Sequence, residues 1–234
     1  MTFAKQTVLV TGAAGNLGRA VAEAFFERGA NLVLFGRREE ELTEVYGSAN
    51  ERRMLAPANL LHQTEVDAAV ASAIERFGRI DVLCNIAGGF RMGTPVHETP
   101  DEVWQSMLDL NARSVITMAR AVVPRMLAAG SGKIVNVAAM AALMGKAGMG
   151  AYAASKSATI RLTETMAAEL RDKGINVNCV MPSIIDTPQN RAAMPDADPQ
   201  RWVAPAALAE VILFLASDAA RAIHGAAVPV VGLS

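Results

Sequence analysis

The chain has 234 residues, 52% hydrophobic, 19% charged and 5% aromatic, which suits one α/β domain with a large core and excludes a disordered chain. Its 22 basic and 23 acidic residues give a formal charge of −1, so a nucleic-acid-binding surface is not expected. Nor is a membrane partner expected, since no apolar run reaches the roughly eighteen residues of a span.

The start, MTFAKQTVLVTG, lacks the charged-then-apolar pattern of a secretory leader, and a cytoplasmic location is expected. Cys84 and Cys179 sit far apart in apolar runs and read as buried thiols of a reducing compartment. His62, His97 and His224 are scattered, and no metal site is expected.

Apolar runs at Thr7–Val10, Asn31–Phe35, Ile80–Asn85, Lys133–Val137, Ile175–Val180 and Ala227–Val231 predict strands covered on both faces. Helical spacing links Leu17, Ala20, Val21, Ala24 and Phe25, and again Val66, Val70, Ala73, Ile74 and Phe77. Longer helices are predicted from about Asp101 to Ala128 and from about Ser155 to Lys173. Alternating strands and helices, with no linker or repeat, predict a single domain over 1–234. Its fold class is α/β, a Rossmann-like, doubly wound parallel sheet with helices on both faces. The Pro-rich stretch 183–205 follows a strand and reads as a substrate loop, with Met194 and Trp202 as candidate lid residues.

Strand Thr7–Val10 runs directly into TGAAGNLG. Gly12 permits a tight turn, Gly15 a close approach to a pyrophosphate, and Gly18 close helix–strand packing. The helix start at Asn16, Leu17 and Gly18 would offer N–H groups to phosphates. A merely tight turn would leave the same glycines, but their place in the first βαβ unit favours a dinucleotide. After the second strand the chain reads Gly36-Arg37-Arg38, with no acid to hold ribose hydroxyls. Two guanidiniums there favour NADP over NAD, unless Glu39, Glu40 and Glu41 neutralise them on a solvated helix.

Tyr152 and Lys156 form YAASK, one helical turn apart. A nearby ammonium favours phenolate and would lower the tyrosine pKa, making Tyr152 an acid/base for a carbonyl or alcohol. An ordinary helix pair is the structural alternative.

With these pieces the chain resembles the short-chain dehydrogenase/reductase family over essentially its whole length. The matching segments are TGAAGNLG, Asn59-Leu60, CNIAGG at 84–89, LNARS with Asn111, IVNVAA at 134–139, YAASK, and NVNCVMPSIIDT at 176–187. The resemblance implies hydride transfer between NAD(P) and a small molecule, with Tyr152 as acid/base. It implies that Lys156 binds the nicotinamide ribose and that Asn111 holds a water linked to Lys156. Asn59 and Leu60 would border the adenine. Asn85, Ala87 and Gly88 would line the cofactor ribose, while Pro182, Ile185 and Thr187 would meet the nicotinamide end. Helices 101–128 and 155–173 would build a homodimer or homotetramer through small and apolar residues including Ala112, Ala121, Ala158, Met166 and Ala167.

Three positions depart from the family pattern. Ala139 stands where a serine usually donates to the substrate oxygen, Asn16 replaces a glycine, and Ser183 follows Pro182. The missing serine and the segments 141–152 and 186–198 are similar to quinonoid dihydropteridine reductases, whose electron-poor substrate needs little polarisation. Reduction of a small carbonyl or quinonoid compound is therefore expected, with dihydropterin as one alternative. A catalytically impaired cofactor-binding regulatory or scaffold protein is another. Met92, Met140, Met144, Met149 and Met194 either line an apolar pocket or fill core.

Overall fold

In the computed structural model, which describes Met1–Ser234, strand β1 (Thr7–Val10) sends Val8 and Val10 into one core and Leu9 into the other. That alternation is the period-two geometry of a strand buried on both faces. Around it lie β2 (Asn31–Gly36), β3 (Arg53–Pro57), β4 (Val82–Asn85), β5 (Gly132–Val137), β6 (Ile175–Pro182) and β7 (Ala227–Val230). All seven pair in parallel in the order β3-β2-β1-β4-β5-β6-β7. The order reverses between β1 and β4, which opens a crevice at their carboxyl ends.

One core joins α1 (Asn16–Glu27), α2 (Glu39–Tyr46) and α8 (Pro205–Leu215) to the sheet through Val21, Phe25, Leu42 and Ile212. The opposite core takes α3 (Gln63–Phe77), α5 (Ser114–Ala129) and α6 (Gly150–Leu170) through Val66, Met118 and Leu170. Helix α3 stops at Gly78, whose left-handed φ of +80° is open to glycine at little cost. No helix is long and apolar enough to cross a membrane.

The structure changes three expectations. The long helix from 101 divides into α4 (Asp101–Leu108), a π-helical turn at Asp109–Arg113, and α5. Ala112, Ala121 and Ala167 are buried within the subunit, so they are not available to a partner, whereas Trp104 and Leu110 are exposed. The 183–205 stretch is structured. It contains α7 (Pro188–Ala193), is closed by a parallel bridge between Ile185 and Val203, and buries Trp202.

Candidate active site

The glycine turn leaves β1 at the crevice. Gly12 has φ +63°, and a Cβ there would lie 2.9 Å from Ala87 Cα, so the first and fourth βα turns touch only because Gly12 has no side chain. Thr11 holds that contact, its hydroxyl accepting from the N–H groups of Ile86 and Ala87 at 3.0 Å each. A Cβ on Gly18 would fall 2.2 Å from Gly12 O, which brings α1 tight against the turn. The N-cap of α1 is Gly15, which places no side chain over the first N–H groups. Those donors form a cradle that fits a phosphate group.

Sequence reasoning missed two braces of this turn. The Tyr46 hydroxyl donates to Ala13 O at 2.7 Å and ties the end of α2 to it. Asn16 donates from Nδ2 to Gln189 Oε1 at 2.8 Å, joining α1 to α7. Leu17 is buried below. Arg37 and Arg38 are exposed after β2, and Arg38 is ion-paired with Glu41. The neutralisation considered from sequence is thus present at Arg38.

Across the crevice, Lys156 and Asn111 converge on Gly88. A Cβ at Gly88 would lie 2.9 Å from Asn111 Oδ1 and 3.1 Å from Lys156 Nζ. Asn111 grips the Gly89 backbone twice, accepting from its N–H at 2.9 Å and donating to its carbonyl at 3.1 Å. The Asn111 carbonyl, within the π turn, accepts from Thr159 Oγ1 at 2.9 Å. Asn111 Nδ2 also donates to Ser155 Oγ at 2.9 Å. Asn85 does not present its side chain to the crevice. It is buried and donates to Asn136 Oδ1 at 2.8 Å, and Asn136 donates in turn to Thr163 at 2.8 Å. Polar residues inside the apolar run of β5 were the signal for this buried relay.

Tyr152 stands in the first turn of α6, half-buried, with its ring edge-on to Phe90 at 4.8 Å between centroids. Burial pushes its phenol up to about 12. Lys156 is 5% exposed and donates to Val137 O at 2.8 Å, and burial brings its ammonium down to about 8. The expectation that Lys156 acidifies Tyr152 is therefore not met: desolvation, not the ammonium, governs the phenol. Ala139 is buried at the end of β5 and supplies no donor.

The remaining predicted positions serve their own segments. Asn59 caps the loop after β3, its side chain accepting from Leu61 N at 3.0 Å, and Leu60 packs on the second core. Pro182 ends β6, Ile185 packs on the first core, and Thr187 caps α7 by accepting from Asn190 N at 3.1 Å.

The family model for short chain dehydrogenases matches residues 6–198. The chain belongs to the short-chain dehydrogenase/reductase family. It is 34% identical over 238 residues to 2-(R)-hydroxypropyl-CoM dehydrogenase of Xanthobacter autotrophicus, covering 95% of each chain. It is 34% identical over 230 residues to NAD-dependent glycerol dehydrogenase of Listeria innocua, covering 94% of this chain and 90% of that protein. Carveol dehydrogenase from Mycobacterium avium, solved in complex with NAD, superposes with a TM-score of 0.87 at 27% identity, covering 98% and 97% of the two chains. As a short-chain dehydrogenase/reductase, this protein is an NAD(P)-dependent enzyme acting on alcohol or carbonyl groups.

Proposed function

We propose that the enzyme reduces a small, electron-poor carbonyl or quinonoid compound with NADPH, using Tyr152 as the proton donor. The observation that carries this reading is Tyr152 and Lys156 one turn apart on α6, with Lys156 and Asn111 against Gly88 at the crevice. When bound, the reduced dinucleotide supplies hydride. Gly12, Gly15, Asn16, Leu17 and Gly18 form the cradle for its phosphates, and Ala87 and Gly88 provide a wall too close for larger side chains. Asn59 and Leu60 would border the adenine, and Pro182, Ile185 and Thr187 would meet the nicotinamide end. Asn85 supports this wall from within the core. Lys156 would hold the nicotinamide ribose, and Asn111 positions the Gly88-Gly89 backbone.

The phenol is protonated at neutral pH, so it carries a proton that it can give to a substrate oxygen. Ala139 removes the second donor to the substrate oxygen, a loss of about 10²–10³ in rate for an unactivated ketone. An already electron-poor carbonyl or quinonoid ring, such as a quinonoid dihydropterin, tolerates that loss. Ala139→Ser should raise kcat/KM for simple ketones about tenfold or more, and no gain on any ketone would argue against this geometry. Following nicotinamide absorbance with simple ketones, diketones and quinonoid dihydropterin tests the reading directly. Consumption of neither NADPH nor NADH would refute it.

NADP is favoured by Gly36-Arg37, because Arg37 is exposed and no acid occupies the end of β2. Arg37→Ala should raise KM for NADPH about tenfold and leave KM for NADH within about twofold, the loss of one charge-assisted phosphate contact. Equal effects on both cofactors would place the preference elsewhere. Exposed Trp104 on α4 and Leu110 in the π turn are the proposed contacts of a homo-oligomer.

A further inference from the structure

Two segments border Tyr152, 89–96 after β4 and 143–149 before α6. They are tied together, Gly93 N–H donating to Gly148 O at 2.9 Å. Val96 lies where a Cβ on Gly150 would come within 2.8 Å of it. Between them they carry Phe90, Met92, Val96, Leu143 and Met144, five of the eleven large apolar side chains that the fold leaves exposed, at 54–76%. The cluster reaches the acid/base candidate directly, because the Phe90 ring meets Tyr152 at 4.8 Å and 87°. The adjoining Ala138 and Ala139 are buried and apolar.

From this juxtaposition we infer that the substrate is an apolar aryl or polycyclic ketone or quinone whose hydrogen-bonding groups are confined to its carbonyls. The inference rests on the carbonyl-reductase reading above. A polyol or sugar would press hydroxyls against Phe90 and the methionines, which offer no partner, and unpaired polar groups are costly to bury. Aromatic faces and thioethers instead suit a flat, polarisable ring. Arg91 and Lys146 carry the only charges of the two segments, and both stand in solvent, where screening leaves little to select an anion. In the reaction the carbonyl carbon gains hydride from the reduced dinucleotide, the C=O π pair moves to oxygen, and that oxygen takes the Tyr152 proton. A ketone becomes an alcohol; a quinone becomes a hydroxyketone, which enolises to the hydroquinone by losing the new C–H proton to solvent as its second oxygen takes one up, and the nicotinamide is oxidised.

Phenanthrenequinone and diacetyl carry the same adjacent carbonyl pair and differ in apolar area. The wild-type enzyme should favour phenanthrenequinone in kcat/KM by about a hundredfold. The exposed double variant Met92→Ser/Met144→Ser should lose about tenfold on phenanthrenequinone and little on diacetyl. Equal kcat/KM values, or an unchanged preference in the variant, would overturn the inference while leaving carbonyl reduction standing. Turnover of neither compound would remove carbonyl reduction itself. Fluorescence titration with phenanthrene, which has no carbonyl, reads the apolar wall without chemistry. Binding about tenfold weaker in the double variant supports the inference. Unchanged binding overturns it, as does a variant that alters only the subunit number in light scattering, which would make the cluster a subunit contact.

Discussion

Tyr152→Phe should lower the rate of hydride transfer about a thousandfold, the usual worth of a positioned proton donor, while cofactor affinity stays within about twofold. The substitution removes one oxygen and keeps the ring that packs edge-on to Phe90, so the α6 turn retains its contacts. Single-turnover absorbance measures the chemical step, and equilibrium fluorescence titration with NADPH measures binding. A variant that keeps a tenth or more of the rate would show that the proton comes from elsewhere. Loss of binding along with rate would instead assign Tyr152 to the cofactor.

Lys156→Met should stabilise the protein at neutral pH and abolish turnover. The ammonium is buried, and its pKa falls from the ordinary lysine value of 10.5 to about 8. Below pH 8 the residue is charged in both folded and unfolded chains, and the cost of burying it is fully present, about 3 kcal/mol. Between pH 8 and 10.5 the unfolded chain binds more protons, so wild-type stability rises with pH, and above 10.5 the cost is gone. Losing the bond to Val137 O offsets about 1 kcal/mol. The net gain near pH 7 is about 2 kcal/mol, or about 4–8 °C in Tm for a domain of this size. Calorimetry of both proteins at pH 7 and pH 9.5 checks magnitude and sign, since the advantage of Lys156→Met should shrink at the higher pH. A variant less stable than wild type at pH 7 would mean that the amine is worth more to the fold than its burial costs.

Local pattern carried much of this architecture. The parallel sheet was legible because β1, β4, β5 and β6 are nearly continuous apolar runs between glycine-stopped helices. Strand β3 was not among those runs: it lies at the sheet edge, begins at Arg53 and ends at Pro57. Helix α8 escaped because PAALAEVILFL is apolar nearly all round and shows no stripe. The π turn escaped because one inserted residue hardly disturbs hydrophobic spacing, although a polar Asn111 inside that pattern marked the place.

At the site, sequence spacing placed Tyr152 and Lys156 on one helix but could not give their protonation. The relevant quantity is desolvation, to which Phe90 against Tyr152 and Val137 against Lys156 contribute from other segments. Likewise Thr11 and Tyr46 brace the nucleotide turn through contacts that only the folded chain creates.

The buried run of bonds from Asn85 through Asn136 and Thr163 to Thr159 and Asn111 anchors the catalytic edge in the middle of the sheet. Met92, Leu143 and Met144 take no part in it. Appetite for different molecules can thus be re-tailored by exchanging those outer side chains, while the machinery that delivers the proton is left undisturbed. A laboratory seeking new chemistry from this scaffold would randomise the outer residues first and leave the carboxamide–hydroxyl spine alone.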